Sequence, residues 1–294
     1  MSEEIFDPEF ILMDRLQKIR QVIEEYGEEN FYLSYSGGKD STVLHTLLDK
    51  AIPGNQIPRV YADTGIEFQM VRKFVMDKAK TDPRITIVRP RKNIVAMLEE
   101  VGYPFKSKQH AHNVAIYQRN GDTQNSERYL NPDPARRRYG CPKILRYQFT
   151  PEFNLKVSEK CCDELKKKPM RQYEKDSGRA YSIIGVRSAE GGYRNRSQCL
   201  AFRKGKFHSF QPLVVCTNEW MDWVIEKYSI ELAPLYYSPY NFDRTGCKGC
   251  PFNIQLAREL KILETFLPNE KEQCEKIWKP VYDEYRRIGY RLKE

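Results

Sequence analysis

Leu12, Leu16, Ile19, Ile23 and Tyr26 fall at spacings of 4, 3, 4 and 3, one apolar stripe along a helix that Gly27 ends. The pattern then alternates. Phe31–Tyr35 is a short β-prone run, Ser36-Gly37-Gly38 a turn, and a helix starting near Ser41 carries Val43, Leu44, Leu47 and Leu48. Ile57–Ala62 predicts a second strand, Phe68–Ala79 a second helix, Ile85–Val88 a third strand and Ile94–Val101 a third helical stretch. Strands alternating with helices imply βαβ units and an α/β fold, a parallel twisted sheet with helices on both faces, over about residues 28–102. The stretch 103–179 is polar, rich in Pro, Arg and Lys, and poor in strand signals. Strand-like runs return at Tyr181–Val186 and Lys206–Phe210, and the 180s are expected to complete the sheet. Residues 217–228 predict a helix, and 254–287 one or two more, broken near Pro268. The expected layout is an N-terminal helix (1–27), an α/β domain (28–255) with a basic helical insertion at about 103–179, and a C-terminal helical region (256–294).

Composition narrows the class. Of 294 residues, 40% are hydrophobic and 12% aromatic, enough for a core. No apolar run approaches the roughly 20 residues of a membrane helix, and Met1 is followed by Ser-Glu-Glu rather than a secretory pattern, so the expectation is a cytoplasmic protein with no membrane partner. The net charge is +9, concentrated in the middle: residues 131–172 carry 11 Lys/Arg against 5 Asp/Glu, and 187–206 carry 6 against 1. A solvated basic surface explains this, and so does a phosphate-rich partner, either a nucleotide or a nucleic acid. Arg136-Arg137-Arg138 with Tyr139 fits a phosphate-and-stacking patch for DNA or RNA, an exposed basic loop being the alternative.

The turn Ser36-Gly37-Gly38-Lys39-Asp40-Ser41 follows a predicted strand and opens a predicted helix. Amides at a helix start lack intrahelical partners and carry partial positive charge, and two glycines let the backbone curl them around one anion. The spacing fits neither the Walker loop nor the dinucleotide fingerprint. It resembles the PP-loop of the ATP pyrophosphatase superfamily, Ser-Gly-Gly-x-Asp-Ser, with every fixed position present. That resemblance implies the adenine nucleotide alpha-hydrolase-like fold. It implies ATP bound at Ser36, Gly37, Gly38, Lys39, Asp40 and Ser41 with Mg²⁺, catalytic roles for Lys39 and Asp40, and cleavage between the α and β phosphates. An ordinary strand–helix turn is the alternative. Asp63-Thr64-Gly65, at the end of the second predicted strand, resembles the Asp-Thr-Gly of sulfate-nucleotide enzymes, and Asp63 there suits Mg²⁺ or a nucleotide hydroxyl. A helix N-cap at Asp63 or Thr64 explains the same residues.

Eight cysteines without an export signal point to metal or redox chemistry rather than disulfides. Cys161 and Cys162 are adjacent, and Cys247-Lys248-Gly249-Cys250 follows after 84 intervening residues. Four thiolates in this arrangement suit zinc or an iron–sulfur cluster. The pattern is similar to that of adenylyl-sulfate (APS) reductases, within the phosphoadenylyl-sulfate (PAPS) reductase family, and so implies a [4Fe-4S] cluster on Cys161, Cys162, Cys247 and Cys250, with Cys141 in reserve. Lys166 to Lys168 would then stabilise the anionic cluster. Zinc is the runner-up metal, and plain reduced thiols the third possibility. Cys199, Cys216 and Cys274 suit buried or free thiols. Gly185-Val186-Arg187-Ser188-Ala189-Glu190 with Arg194 looks like the family's Gly-x-Arg-x-x-Glu and its following arginine, which implies that Arg187 and Arg194 face the phosphate or sulfate end of the ligand. A solvated strand end is the alternative.

Two departures steer the expected reaction. Reductases of the family carry an attacking cysteine in a C-terminal Glu-Cys-Gly-like tail, where this chain reads Gly289-Tyr290-Arg291-Leu292, and their glycine loop is degenerate, where this one is complete. A complete PP-loop beside four cysteines resembles instead the ATP-using sulfur-transfer members, DNA phosphorothioation protein C-like proteins and iron–sulfur tRNA thiolases. The expectation is an ATP pyrophosphatase that adenylylates an acceptor for sulfur transfer, releasing pyrophosphate and AMP, with a sulfur donor such as a cysteine desulfurase. The alternatives are an APS or PAPS reductase whose thiol has moved to Cys274 or Cys199, and a nucleotide- or redox-sensing regulator without turnover. Tyr103, Lys106, Lys108, His110 and His112 are candidates for an acceptor site, with core or surface roles equally open.

Overall fold

The computed structural model describes residues 7–133, 140–191 and 196–292. Asp7 accepts from the amides of Glu9 and Phe10 and starts α1 (Pro8–Tyr26). Of the predicted stripe, Leu12, Ile19 and Ile23 are buried together with Val22, while Leu16 and Tyr26 are half-buried. The chain divides into two compact units.

The first unit runs to Asp63 and adds Gln69–Arg89 and Pro169–Thr245. It contains the whole sheet: β1 (Phe31–Ser34), β2 (Arg59–Ala62), β3 (Ile85–Val88), β4 (Tyr181–Ile183), β5 (Leu200–Arg203) and β6 (Lys206–Phe210). The order is β3-β2-β1-β4-β6-β5, parallel except for β5, which pairs antiparallel with β6 at the edge. Leu33 lies opposite Arg59 on one side and Ile183 on the other, so β1 is central. Helices α2 (Lys39–Ala51) and α3 (Gln69–Thr81) link β1 to β2 and β2 to β3. From β1 the sheet grows first toward β3 and then, through β4, the other way. The right-handed rule for parallel crossovers therefore sends the connecting helices to opposite faces. The carboxyl ends of β1 and β4 flank the point where the order reverses, the usual ligand crevice of an open α/β sheet. On α2, Val43, Leu44, Leu47 and Leu48 are fully buried. Strand β5 has no counterpart among the sequence expectations, since its half-exposed Leu-Ala-Phe-Arg carries little of the burial that makes an inner strand legible.

The second unit comprises Thr64–Phe68, Pro90–Lys168 and Gly246–Glu294. It is helical: α4 (Ile94–Val101), α5 (Lys108–Asn120), α6 (Gln124–Leu130), a π-helical turn over Asp163–Lys167, α9 (Leu256–Phe266) and α10 (Pro268–Arg287). Between them in sequence, α7 (Lys168–Ser177) and α8 (Asn218–Lys227) belong almost wholly to the first unit. Leu267 separates α9 from α10, and Pro268 begins the latter, where its missing N–H costs nothing. No helix of the described residues is long and apolar enough to cross a membrane.

Candidate nucleotide and thiol sites

The glycine turn leaves β1 and enters α2 at the order reversal. Gly37 has φ +70°, and a Cβ there would lie 2.5 Å from Val75 Cγ2 and 3.1 Å from Val71 Cγ1 of α3, so only glycine fits. Gly38 caps α2 without a side chain of its own. The serines brace the bend: the Ser36 amide donates to Ser41 Oγ (3.2 Å), the Gly38 amide to Ser36 Oγ (3.3 Å), and Ser41 Oγ to the Gly38 carbonyl (3.0 Å). The Lys39 amide donates to Tyr236 Oη (2.9 Å), which lies 2.8 Å from Thr245 Oγ1. The three atoms nearest a Cβ on Gly38 would be the hydroxyls of Ser36, Tyr236 and Thr245, at 3.2–3.3 Å. The bend is thus a small concavity rimmed by amides and hydroxyls.

Charges are held around it. Arg187, 7% exposed, donates from Nε to Asp40 Oδ1 (2.9 Å) and from Nη1 to Asn218 Oδ1 (2.8 Å). Gly185 lets this loop approach, since a Cβ there would press on the Asp40 backbone at 3.1 Å. Lys39 Nζ lies 3.3 Å from Asp222, beside a cavity of about 360 Å³ that Tyr236, Phe242 and Asp243 also line. Asp63 is buried and gives both oxygens to arginines, to Arg72 at 2.9 and 3.0 Å and to Arg89 at 3.1 Å. Those hydrogen bonds, Arg72 foremost, hold its carboxyl below the usual range. A cation would have to displace two guanidinium groups to reach it. Arg194, Arg136–Arg138 and Tyr139 lie outside the described residues.

The second unit holds the predicted thiols. Cys161 and Cys162 precede the π-helical turn, their sulfurs 4.0 Å apart. A hydrogen bond from the Cys161 thiol, helped by Lys108, Lys166 and Lys167, favours the thiolate of Cys162, and the same sharing raises Cys161. Cys161 also feels Cys250 and Cys247, and Cys250 feels Cys247 and Cys162, so the four predicted thiols form one electrostatic group. Cys247 is tied through its backbone to Glu67 by an isolated antiparallel bridge, and the Lys248 amide donates to the Ile66 carbonyl (2.9 Å). Burial raises Cys247, while Lys166 hydrogen-bonds it and opposes the rise. Cys141 is buried too, pushed up to about 11, and its charged neighbours are Lys106 and Arg146 rather than any of the four thiols. Among the described residues, no three His, Cys, Asp or Glu side chains converge closely enough to hold one metal ion.

The remaining candidates have ordinary roles. His110 is fully buried between Tyr129 Oη (3.0 Å) and Gln148 Oε1 (2.6 Å), and burial lowers it to about 4. His112 is exposed and pairs with Glu159 (2.9 Å). Tyr103 bridges Val157 through the backbone, and the Lys106 amide donates to Tyr285 Oη (2.7 Å). Burial raises Cys274 and Cys216 to about 12 and raises the half-buried Cys199. Tyr236, Thr245, Asn218, Asp222, Arg72, Arg89 and Glu67 were not among the expected site residues. Asp63 and Arg72 are close in sequence, but nothing local marks them as partners.

A model of the phosphoadenosine phosphosulfate reductase domain matches residues 30–131 and 142–253. The chain belongs to that domain family. Family members are enzymes of the PP-loop superfamily. An uncharacterized protein of Methanocaldococcus jannaschii is 24% identical over 94% of this chain and 55% of its own length. A glutamine-hydrolysing GMP synthase of Cellvibrio japonicus is 32% identical over 30% of this chain and 16% of its own. The chain thus spans about half, or less, of these curated relatives. Among solved structures, the PAPS reductase of Candida auris in a phosphate complex is 13% identical (TM-score 0.42), over 80% of this chain and 92% of its own. The U34-tRNA thiolase of Methanococcus maripaludis with its [4Fe-4S] cluster is 14% identical (TM-score 0.39), over 93% and 80%.

Proposed function

We propose that this family member is an ATP pyrophosphatase that adenylylates an acceptor for sulfur transfer. The observation that carries the reading is the braced bend Ser36–Ser41. It joins a positive-φ glycine, helix-start amides that donate only to hydroxyls and a buried arginine at the order reversal of the sheet. ATP enters as its Mg²⁺ complex. The acceptor oxygen attacks the α phosphorus, the bond from the α phosphorus to the bridging oxygen breaks, and pyrophosphate leaves with that oxygen and the electron pair. Amides at the start of α2 and Lys39 stabilise the charge that develops on pyrophosphate. Asp40 and Asn218 hold Arg187 in one orientation, so its fork meets an oxyanion without reorganising. A sulfur nucleophile from a donor such as a cysteine desulfurase then displaces AMP. Asp63, spent on two arginines, does not fit a magnesium ligand, and no step is assigned to it.

Cys161, Cys162, Cys247 and Cys250 would hold a [4Fe-4S] cluster. Their fit rests on an all-thiol donor set, with the Cys161 and Cys162 sulfurs 4.0 Å apart and the lysines Lys108, Lys166 and Lys167 favouring the Cys162 thiolate. When bound, the cluster supplies soft iron–sulfur chemistry suited to handling sulfur. The basic middle segment supports a nucleic-acid acceptor, DNA or RNA, held first by its phosphates. The reductase alternative needs a low-pKa accessible thiol, whereas Cys274, Cys216 and Cys199 are buried or half-buried with raised pKa values.

Two measurements test this. With α-labelled ATP, Mg²⁺ and candidate RNA or DNA acceptors, the expected result is pyrophosphate and labelled, adenylylated acceptor, with free AMP released once a sulfur donor is added. Anaerobically purified protein is expected to be brown with about four irons and matching sulfide. ADP as product would overturn the pyrophosphatase reading, and a colourless protein with one zinc the cluster.

A further inference from the structure

The loop Cys247–Pro251 is held largely through its backbone, and mostly from α10. Trp278 Nε1 donates to the Lys248 carbonyl (3.0 Å), Tyr282 Oη to the Gly249 carbonyl, and Tyr285 Oη to the Pro251 carbonyl (2.9 Å). Arg291 donates to the same Pro251 carbonyl. From α9, Glu259 accepts the Gly249 amide with one oxygen and Asn253 Nδ2 with the other. The Lys248 side chain, 2% exposed, turns away from the loop to Glu270 (3.3 Å) and Gln273. Gly249 has φ +61°, and a Cβ there would lie 2.5 Å from Tyr282 Oη and 2.7 Å from Cys274 Sγ. Cys274, Trp278, Tyr282 and Tyr285 follow at spacings of 4, 4 and 3, one fully buried stripe along α10.

We propose that α9 and α10 form a clamp that sets the Cys-Lys-Gly-Cys loop before any cofactor arrives, with Trp278, Tyr282 and Glu259 as positioning residues. A free loop of this kind loses backbone freedom when its thiols are gathered around a cofactor. Here that order is already imposed by donors that touch neither sulfur. They act as the partners behind metal ligands do, by fixing the direction in which each ligand points. This also gives Cys274 a role other than nucleophile: it is the small side chain that lets α10 reach Gly249. The proposal rests on the reading of Cys247 and Cys250 as ligands, but its first test does not need the cofactor.

The experiment uses the full chain with Tyr282→Phe and Trp278→Phe, each keeping a ring while losing a donor. Val114→Ala, buried on α5 in the same unit, serves as a packing control. Amide exchange of the cofactor-free protein reads the loop, and release of iron to a chelator from anaerobically reconstituted protein reads retention. Both donor variants are expected to speed exchange over residues 247–253 at least fivefold and iron release about tenfold, with a shifted visible spectrum. Val114→Ala should lower the unfolding midpoint without either effect. Loop exchange at wild-type rates in both donor variants overturns the clamp, as does the same acceleration in Val114→Ala. Should one donor variant fail to fold, the other and Tyr285→Phe carry the test. If the wild type takes up no iron, the cluster reading falls while the exchange result still decides the clamp.

Discussion

If ATP binds as proposed, Tyr236 sits where its phosphate would go. Its hydroxyl takes the Lys39 amide at 2.9 Å and lies 2.8 Å from Thr245 Oγ1, the place a phosphate oxygen would occupy in the bend. If ATP binds through that amide, the phenol must first release it. Tyr236→Phe removes the hydroxyl and leaves the ring, so the amide becomes available without a change of packing. A neutral hydrogen bond of this kind is worth about 0.5–1.5 kcal/mol net, and the variant should therefore bind pyrophosphate or Mg²⁺-ATP about two- to tenfold more tightly. Thr245→Val should shift affinity the same way by less, because it touches the amide only through Tyr236. Calorimetric titration of the full chain with pyrophosphate, and separately with Mg²⁺-ATP, measures both. Weaker binding by Tyr236→Phe would show the phenol to be a ligand of the anion rather than its competitor. Unchanged binding would show that the Lys39 amide is not used, and either result refutes the displacement.

The two glycines should separate fold from function. Gly37→Ala must carry a Cβ at φ +70° against Val75, costing about 1 kcal/mol in backbone strain before the clash, and should lower the unfolding midpoint. Gly38→Ala, at φ −80° and with hydroxyls nearest its Cβ, should unfold like the wild type yet bind ATP more weakly; equal affinities would remove the bend as the phosphate site. Arg187→Lys cannot serve both Asp40 and Asn218, and AMP formation should fall tenfold or more with little change in KM, a loss that steady-state kinetics would read. Acid should destabilise each unit separately. Burial lowers His45 in the first unit and His110 in the second from 6.5 to about 4, so the unfolded chain takes up these protons first as pH falls. Stability is then full above about pH 6.5 and lost progressively toward pH 4, by up to about 3 kcal/mol per histidine. Urea unfolding at pH 7 and 4.5 checks this, and a flat profile would contradict it.

What could be seen in advance was local. The Ser36–Ser41 bend announces itself because glycine, serine and helix start must be contiguous to make it. The four thiols stand out because ligand pairs come close in sequence. The groups that complete each site are not contiguous. Tyr236 reaches Lys39 across 197 residues, and Arg187 reaches Asp40 across 147. The α10 stripe reads in sequence as an ordinary amphipathic helix. Its apolar period is correct, and nothing in the spacing of Cys274, Trp278, Tyr282 and Tyr285 says that three of the four spend a donor on loop carbonyls 30 to 34 residues away.

Asp63 shows the same dependence on distant groups. The end of β2 is the right place for a ligand-facing carboxylate, but whether it meets a cation or a guanidinium depends on Arg72 and Arg89, brought in by α3 and the turn after β3. The same partnering bears on mechanism. Asp63 and Asp40 face arginines and Asp222 faces Lys39, so these three carboxylates around the bend are each paired with a cation. On the proposed reading such a surface favours a leaving anion over a metal, the chain's share of catalysis would fall on pyrophosphate departure, and Mg²⁺ would enter with the nucleotide. Replacing Arg72 should test that division. Arg72→Met would leave Asp63 with Arg89 alone and more negative toward a cation. If the ion comes only with ATP, the Mg²⁺ concentration for half-maximal AMP formation should stay within about twofold of wild type, and a tenfold fall would mean that Asp63, once released, is a metal ligand after all.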